Sequence, residues 1–221
     1  MRILSLLLFL SASGIHLYAS CPPVRSKLRA ATKCLLIPLL IVWYLFSCAD
    51  PSPYIVAGLF FGFVGDVFLL FPHRTVAFGI GLFSFAAGHI VYGLYFSRFF
   101  QPIPPLSVVY ACIVAIVYLF YIAYLFRILF PRLPKLFVAP VLFYMAVLSF
   151  MSFSAFLAYA STGQPMLLVA YIGTVLFIVS DSVLSLDTFH RRIDMARVIV
   201  MSTYIPAQLL IAVSAASFGG F

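Results

Sequence analysis

Apolar residues come in eight long runs, at residues 2–20, 33–49, 53–71, 74–97, 105–127, 136–160, 164–186 and 195–218. None shows the strict polar–apolar alternation of a membrane β-strand. Each has about the 17–25 residues that a helix needs to cross the hydrocarbon of a bilayer. The breaks carry Pro, Asp, Arg or Lys: "CPPVRSKLR", "CADPSP", "FPHR", "SRFFQPIPP", "RILFPRLPK", "STGQP" and "DTFHRRIDMAR". The pattern predicts an all-α polytopic transmembrane bundle of about eight helices, a single domain over residues 1–221. The first run, "MRILSLLLFLSASGIHLYASC", shares some features of a cleaved signal peptide. Its apolar stretch runs nearly to Ser20, so it is expected to remain as the first helix.

Composition agrees. The 221 residues are 65% hydrophobic and 8% charged, where a soluble domain carries about a quarter charged residues. Thirteen Lys and Arg face five Asp and no Glu. A basic balance can signal nucleic-acid binding, but here the charges sit between runs. The connections after runs 1, 3, 5 and 7, with Lys33 at the start of run 2, hold eleven of the thirteen; Arg2 and Arg98 are the others. The positive-inside rule then puts both termini on the non-cytosolic side. No nucleic-acid partner is expected. Cys21, Cys34, Cys48 and Cys112 form no CxxC and no zinc spacing, and read as packing residues.

Two carboxylates interrupt this scheme, Asp66 in "PYIVAGLFFGFVGDVFLLF" and Asp181 in "YIGTVLFIVSDSVLSL". A charge at the centre of a spanning helix costs about 2.5–3.5 kcal/mol on insertion scales, so each must face the bundle interior or a polar cavity. Their runs cross in the same direction. Each aspartate is five residues from the inner end of its run, roughly 7–8 Å at 1.5 Å per residue. Both are therefore expected at one depth in the cytosolic leaflet. Lys33 opens run 2 on that side. Tyr144 and Tyr204 lie nine residues into runs 6 and 8, with Gln208 one turn beyond; His89 is deeper in run 4, with Tyr92 almost a turn past it. Gly58, Gly62 and Asp66 share one helical face, and Gly173, Phe177 and Asp181 repeat the spacing. Such small residues let helices approach closely. The two segments look alike at an offset of 115, as a four-helix duplication would leave them.

The segments "GLFFGFVGDVFLL", "FGIGLFSFAAGHIVYGLYF" and "YIGTVLFIVSDSVLSLDTF" resemble the YhhN/TMEM86 family of integral membrane proteins. Its pattern is met by Gly65-Asp66 with Leu69, by Gly81, Phe85, His89 and Tyr92, and by Ser180-Asp181 with Leu184. "TKCLLIPLL" and "YIPAQLLI" fit the family too. The resemblance implies a lysoplasmalogenase, which cleaves the vinyl-ether bond of a lysoplasmalogen to a fatty aldehyde and glycerophosphocholine or glycerophosphoethanolamine. It implies Asp66 and Asp181 as the catalytic pair, and suggests the endoplasmic reticulum membrane.

That chemistry suits two carboxyl groups. A vinyl ether yields to acid: protonation of its β-carbon gives an oxocarbenium ion, water adds, and the hemiacetal collapses. The site needs a carboxyl that keeps its proton near neutral pH and an anion that stabilises the cation. Two close carboxylates in a dry site can share one proton, as in aspartic proteases. Asp66 is assigned as acid and Asp181 as base. Lys33 is expected to attract the lipid phosphate or to be a plain flanking lysine. Tyr144, Tyr204 and Gln208 are candidates to hydrogen-bond glycerol, water or the carboxylates. His89 and Tyr92 would line the cavity, and Phe63, Phe85 and Phe177 are candidates to wall the alkenyl chain. No metal or cofactor is expected, because His16, His73 and His190 fall outside the site and leave His89 alone. The expected partners are the lysophospholipid substrate and membrane lipids, with a homodimer allowed. The main alternative is a proton-coupled transporter that uses the two aspartates as a relay.

Overall fold

The computed structural model describes residues 1–71 and 74–218. Among these residues there are eight α-helices: α1 Arg2–Ser20, α2 Ser26–Leu45, α3 Pro53–Phe68, α4 Thr75–Ser97, α5 Pro105–Leu129, α6 Lys135–Thr162, α7 Pro165–Ser185 and α8 Ala196–Ala216. A 3₁₀ turn, Phe130–Arg132, follows α5, and a π-helical turn, Leu186–His190, extends α7. Seven of the eight helices are long and apolar enough to cross a membrane. The exception is α3, whose 16 residues rise about 24 Å, short of the ~30 Å of hydrocarbon.

Several boundaries have local causes. Pro53, Pro105 and Pro165 stand in the first turn of α3, α5 and α7, where the fixed φ suits a helix and the missing N–H has no intrahelical partner to lose. Gly163 ends α6 in the left-handed region (φ 67°), and its N–H donates to the Tyr159 carbonyl at 2.8 Å. Two boundaries differ from the apolar runs. Helix α2 begins at Ser26, not Lys33, because "SKLRAAT" contains no Gly or Pro and is rich in helix formers. Lys33 is thus the eighth residue of a helix rather than its opening residue. Helix α3 ends at Phe68 rather than Phe71; Phe71 precedes a proline, which disfavours helical backbone there.

Short connections make successive helices antiparallel. The most extensive pairings are α7 with α8 and α3 with α4; α6 joins these halves through α4 and α7. Helix α1 packs on α2 and α8, while α5 sits at the periphery, chiefly on α6 and the π-helical turn. The main core runs through the bundle, with Leu40, Leu59, Phe96, Met151, Phe177 and Ile211 fully buried, and a smaller cluster with Leu125, Leu129, Val141 and Met145 joins α5 to α6. At the α3–α4 crossing a Cβ on Gly88 would lie 3.1 Å from the Gly58 carbonyl oxygen and 3.3 Å from Phe61 Cβ. Gly88→Val would drive branched carbon into that backbone, at a cost of about 1–3 kcal/mol. A lower Tm of the purified variant in detergent is expected; an unchanged Tm would refute the tight crossing.

Candidate active site

The two aspartates occupy two adjoining polar clusters. Asp66, two residues from the end of α3, is almost fully buried. Its Oδ1 is 3.1 Å from Lys33 Nζ on α2, and its Oδ2 accepts a hydrogen bond of 2.7 Å from Tyr204 Oη on α8. A directional chain leads there: Tyr92 Oη donates to Gln208 Oε1 at 2.9 Å, and Gln208 Nε2 donates to Tyr204 Oη at 3.4 Å. The absent side chain at Gly62 makes room for this chain, since a Cβ there would sit 3.0 Å from Gln208 Nε2.

Asp181, four residues from the end of α7, takes partners from α6 and α4. Its Oδ2 accepts a hydrogen bond from Tyr144 Oη and lies 3.7 Å from His89 Nε2. His89 Nε2 is also 3.0 Å from Tyr144 Oη. Because the Tyr144 hydroxyl donates to the carboxylate, His89 Nε2–H is the donor to Tyr144. The result is a three-member relay in which the hydroxyl can release one proton as it receives another. Tyr121 on α5 and Ser182 share a hydrogen bond of 3.0 Å beside the carboxylate.

Aromatic rings separate the clusters. Phe177 meets His89 edge-on at 4.6 Å between centroids and Tyr204 at 5.2 Å, and Phe85 packs against the same two rings. Among the described residues no hydrogen bond joins the two carboxylates.

A partly open cavity of about 60 Å³ lies among α4, α5, α6 and α7. Its wall is apolar (Leu82, Phe85, Leu125, Met145 and Leu148 among others), and its polar groups include Tyr121, Tyr144 and Asp181. Asp66 is not in the wall. The side chain of Asp181 is 14% exposed and that of Asp66 is 3% exposed, so only Asp181 is open to a molecule in the cavity.

The eight residues singled out by sequence thus fall into these two clusters: Lys33, Tyr92, Tyr204 and Gln208 with Asp66, and His89 and Tyr144 with Asp181. Three expectations need correction. The aspartates do not share a proton through direct contact, because Lys33 and Tyr204 occupy the oxygens of Asp66. The Lys33 ammonium is engaged by Asp66, because α2 begins seven residues earlier and carries Lys33 in to the carboxylate. Of the proposed chain-walling phenylalanines Phe85 lines the cavity, whereas Phe177 is buried between the clusters and Phe63 packs against the core. His16 pairs with Thr32 at 2.9 Å and His190 with Arg132 at 2.8 Å; His73 lies outside the described residues. Sequence reading missed Tyr121, Ser185 and Thr188 in the cavity wall. Ser185 and Thr188 fall on the helical face of Asp181, and that spacing is the signal that could have found them.

Several residues around the site recur at a fixed interval. Asp66 and Asp181, His89 and Tyr204, and Gly58 and Gly173 are each 115 positions apart. So are the residues these glycines face, Tyr92 and Ala207. Asp66 of α3 is bound by α8, and Asp181 of α7 is approached by α4.

Comparison with known proteins fits this arrangement. The family model of the YhhN family matches residues 28–215. Bovine (Bos taurus) lysoplasmalogenase TMEM86A is 33% identical over 201 residues, covering 86% of this chain and 79% of the relative. Rat (Rattus norvegicus) lysoplasmalogenase TMEM86B is 32% identical over 193 residues, covering 86% and 74%. Human (Homo sapiens) lysoplasmalogenase TMEM86A is 31% identical over 195 residues, covering 83% and 76%. No solved structure matches. The matched region holds both aspartates and every partner they bind, and the chain belongs to the YhhN family.

Proposed function

We propose that this protein is a lysoplasmalogenase, hydrolysing the vinyl-ether bond of a lysoplasmalogen to a fatty aldehyde and a glycerophospho-choline or -ethanolamine. The observation that carries this is Asp181, set in the wall of an apolar cavity with a Tyr144–His89 relay behind it. The names of the relatives point to the same reaction. Asp181 gives its proton to the β-carbon of the vinyl ether. The carboxylate then stabilises the oxocarbenium ion and takes a proton from the water that adds to it. Tyr144 and His89 accept and return protons as the hemiacetal collapses to aldehyde and alcohol. The apolar wall excludes bulk water and holds the hydrocarbon chain.

Asp66 has a different part. Its two oxygens are taken by Lys33 and Tyr204, and a substrate in the cavity does not reach it. The Lys33–Asp66–Tyr204 cluster is a positioning element: it ties α2, α3 and α8 together behind Phe85 and Phe177, which back His89.

The test uses purified protein in detergent with a 1-alkenyl lysophospholipid, its 1-alkyl ether and its 1-acyl analogue. Aldehyde release from the alkenyl lipid is expected, with the other two left intact. Only the vinyl ether has a carbon basic enough to accept the proton. Cleavage of the acyl analogue at a comparable rate would refute acid catalysis at carbon, and so would failure to release aldehyde from the alkenyl lipid.

A further inference from the structure

The face of α7 that enters the cavity carries a graded series. Asp181, Ser185 and Thr188 fall at i, i+4 and i+7, and all three line the wall. Two residues on, the π-helical turn presents His190, whose Nδ1 is 2.8 Å from Nη1 of Arg132 on the turn after α5. Leu129, a turn before Arg132, and Phe189, next to His190, belong to the cavity wall. The two side chains therefore flank the cavity at its end away from Asp181.

This pairing is unusual in one respect. Arg132 has a permanent charge, yet its side-chain partner is an imidazole. The ion pairs among the described residues are Lys33–Asp66, His89–Asp181 and Arg192–Asp187, and none includes Arg132. Asp187, the nearest acid in sequence to His190, is taken up by Arg192 and by the Ile193 N–H. With its Nδ1 accepting from the guanidinium, His190 keeps its proton on Nε2. The site thus offers the remaining guanidinium N–H groups and one imidazole N–H, a donor set suited to a phosphate.

Resting on the vinyl-ether reading above, we infer that Arg132 and His190 form the phosphate-recognition site for the substrate, selecting a phosphodiester monoanion at the mouth of the cavity. The dimensions agree. His190 is nine residues from Asp181, about 13 Å along the helix at 1.5 Å per residue. Seven bonds separate the vinyl β-carbon from phosphorus in a lysoplasmalogen, on the order of 8–9 Å when extended, at an advance of ~1.2 Å per bond. The reach of the aspartate and arginine side chains closes the difference. In that pose the glycerol lies beside Ser185 and Thr188, and the hydrocarbon chain turns into the apolar wall beneath α5.

Purified full-length protein with Arg132→Gln, His190→Gln or Arg192→Gln tests this. The last removes a neighbouring surface charge outside the site. Two substrates are compared, a 1-alkenyl lysophospholipid and the 1-alkenyl glycerol that lacks phosphate. Arg132→Gln should raise KM for the phospholipid about ten- to a hundredfold, the range of a lost charge-assisted hydrogen bond. Its kcat should stay within about twofold, and its kinetics on the alkenyl glycerol should match those of the unaltered protein. His190→Gln should act in the same direction and Arg192→Gln should do neither. Equal losses on both substrates, or no change in KM, would overturn the site.

Binding of the uncleavable 1-alkyl lysophospholipid and 1-alkyl glycerol separates this inference from the reaction itself. If Arg132→Gln weakens binding of the first alone while no aldehyde is ever formed, the phosphate site stands and the vinyl-ether reading falls. If both bind Arg132→Gln unchanged, the phosphate site falls whatever the activity. Inorganic phosphate serves as competitor. Displacement of the phospholipid by millimolar phosphate that is lost in Arg132→Gln is the expected result, since the two then share the site. Displacement that persists in Arg132→Gln would overturn the assignment.

Discussion

Asp181→Asn is expected to lower the rate of aldehyde release by about 10²–10⁴-fold, the usual worth of a positioned general acid or base. The amide matches the carboxyl in shape and can still accept the hydrogen bond from Tyr144, so the fold and Tm should hold. It cannot give a proton to carbon, nor take one from water. Binding of the uncleavable alkyl lipid should persist, placing the loss in kcat. Tyr144→Phe should be milder, about 10–100-fold, because it breaks the relay to His89 but leaves the proton donor in place. A variant Asp181→Asn that turns over at near-normal rate would end the mechanism. Loss of Tm in step with activity would move Asp181 from chemistry to structure.

The second large effect concerns Lys33. Its side chain is 12% exposed and that of Asp66 is 3% exposed, so water screens the pair weakly. Lys33→Met strands a buried carboxylate, which costs about 3–5 kcal/mol and should lower Tm by roughly 10 °C for a chain of this length. Removing both charges together is a smaller loss, because a buried pair repays its desolvation only in part. The double variant Lys33→Met, Asp66→Leu should therefore recover most of the Tm lost in Lys33→Met. Activity should follow it to within about tenfold, since Asp66 is assigned a positioning part. Recovery of Tm with turnover still abolished would show instead that Asp66 takes part in the chemistry.

The eight helices were legible in the sequence, because residues facing lipid must be apolar over the thickness of a bilayer, though α3 is too short to span by itself. The existence of a polar centre was legible for the same reason: Asp66 and Asp181 are costly where they stand, and six further residues named with them lie around them. The pairing was not legible. Which tyrosine reaches which aspartate depends on helix rotation and crossing, which an apolar sequence encodes in the fit of side chains rather than in spacing. Lys33 lies further into its helix than the start of the apolar run suggests, because α2 holds its hydrogen bonds through a charged first two turns. The cavity had no signature at all. It is a gap between apolar surfaces, left where α5 stands off from α4, and its lining resembles any other buried residue.

The constant interval between the halves has a further consequence. Each aspartate is held in part by the opposite half of the chain: Tyr204 crosses over to Asp66, and His89 crosses over to Asp181. Neither half could assemble either cluster alone, so the molecule has the logic of an obligate dimer whose subunits were later fused. In such a dimer both carboxylates would have begun alike. In this chain one carboxylate is riveted by a lysine, while the other keeps its opening to the cavity.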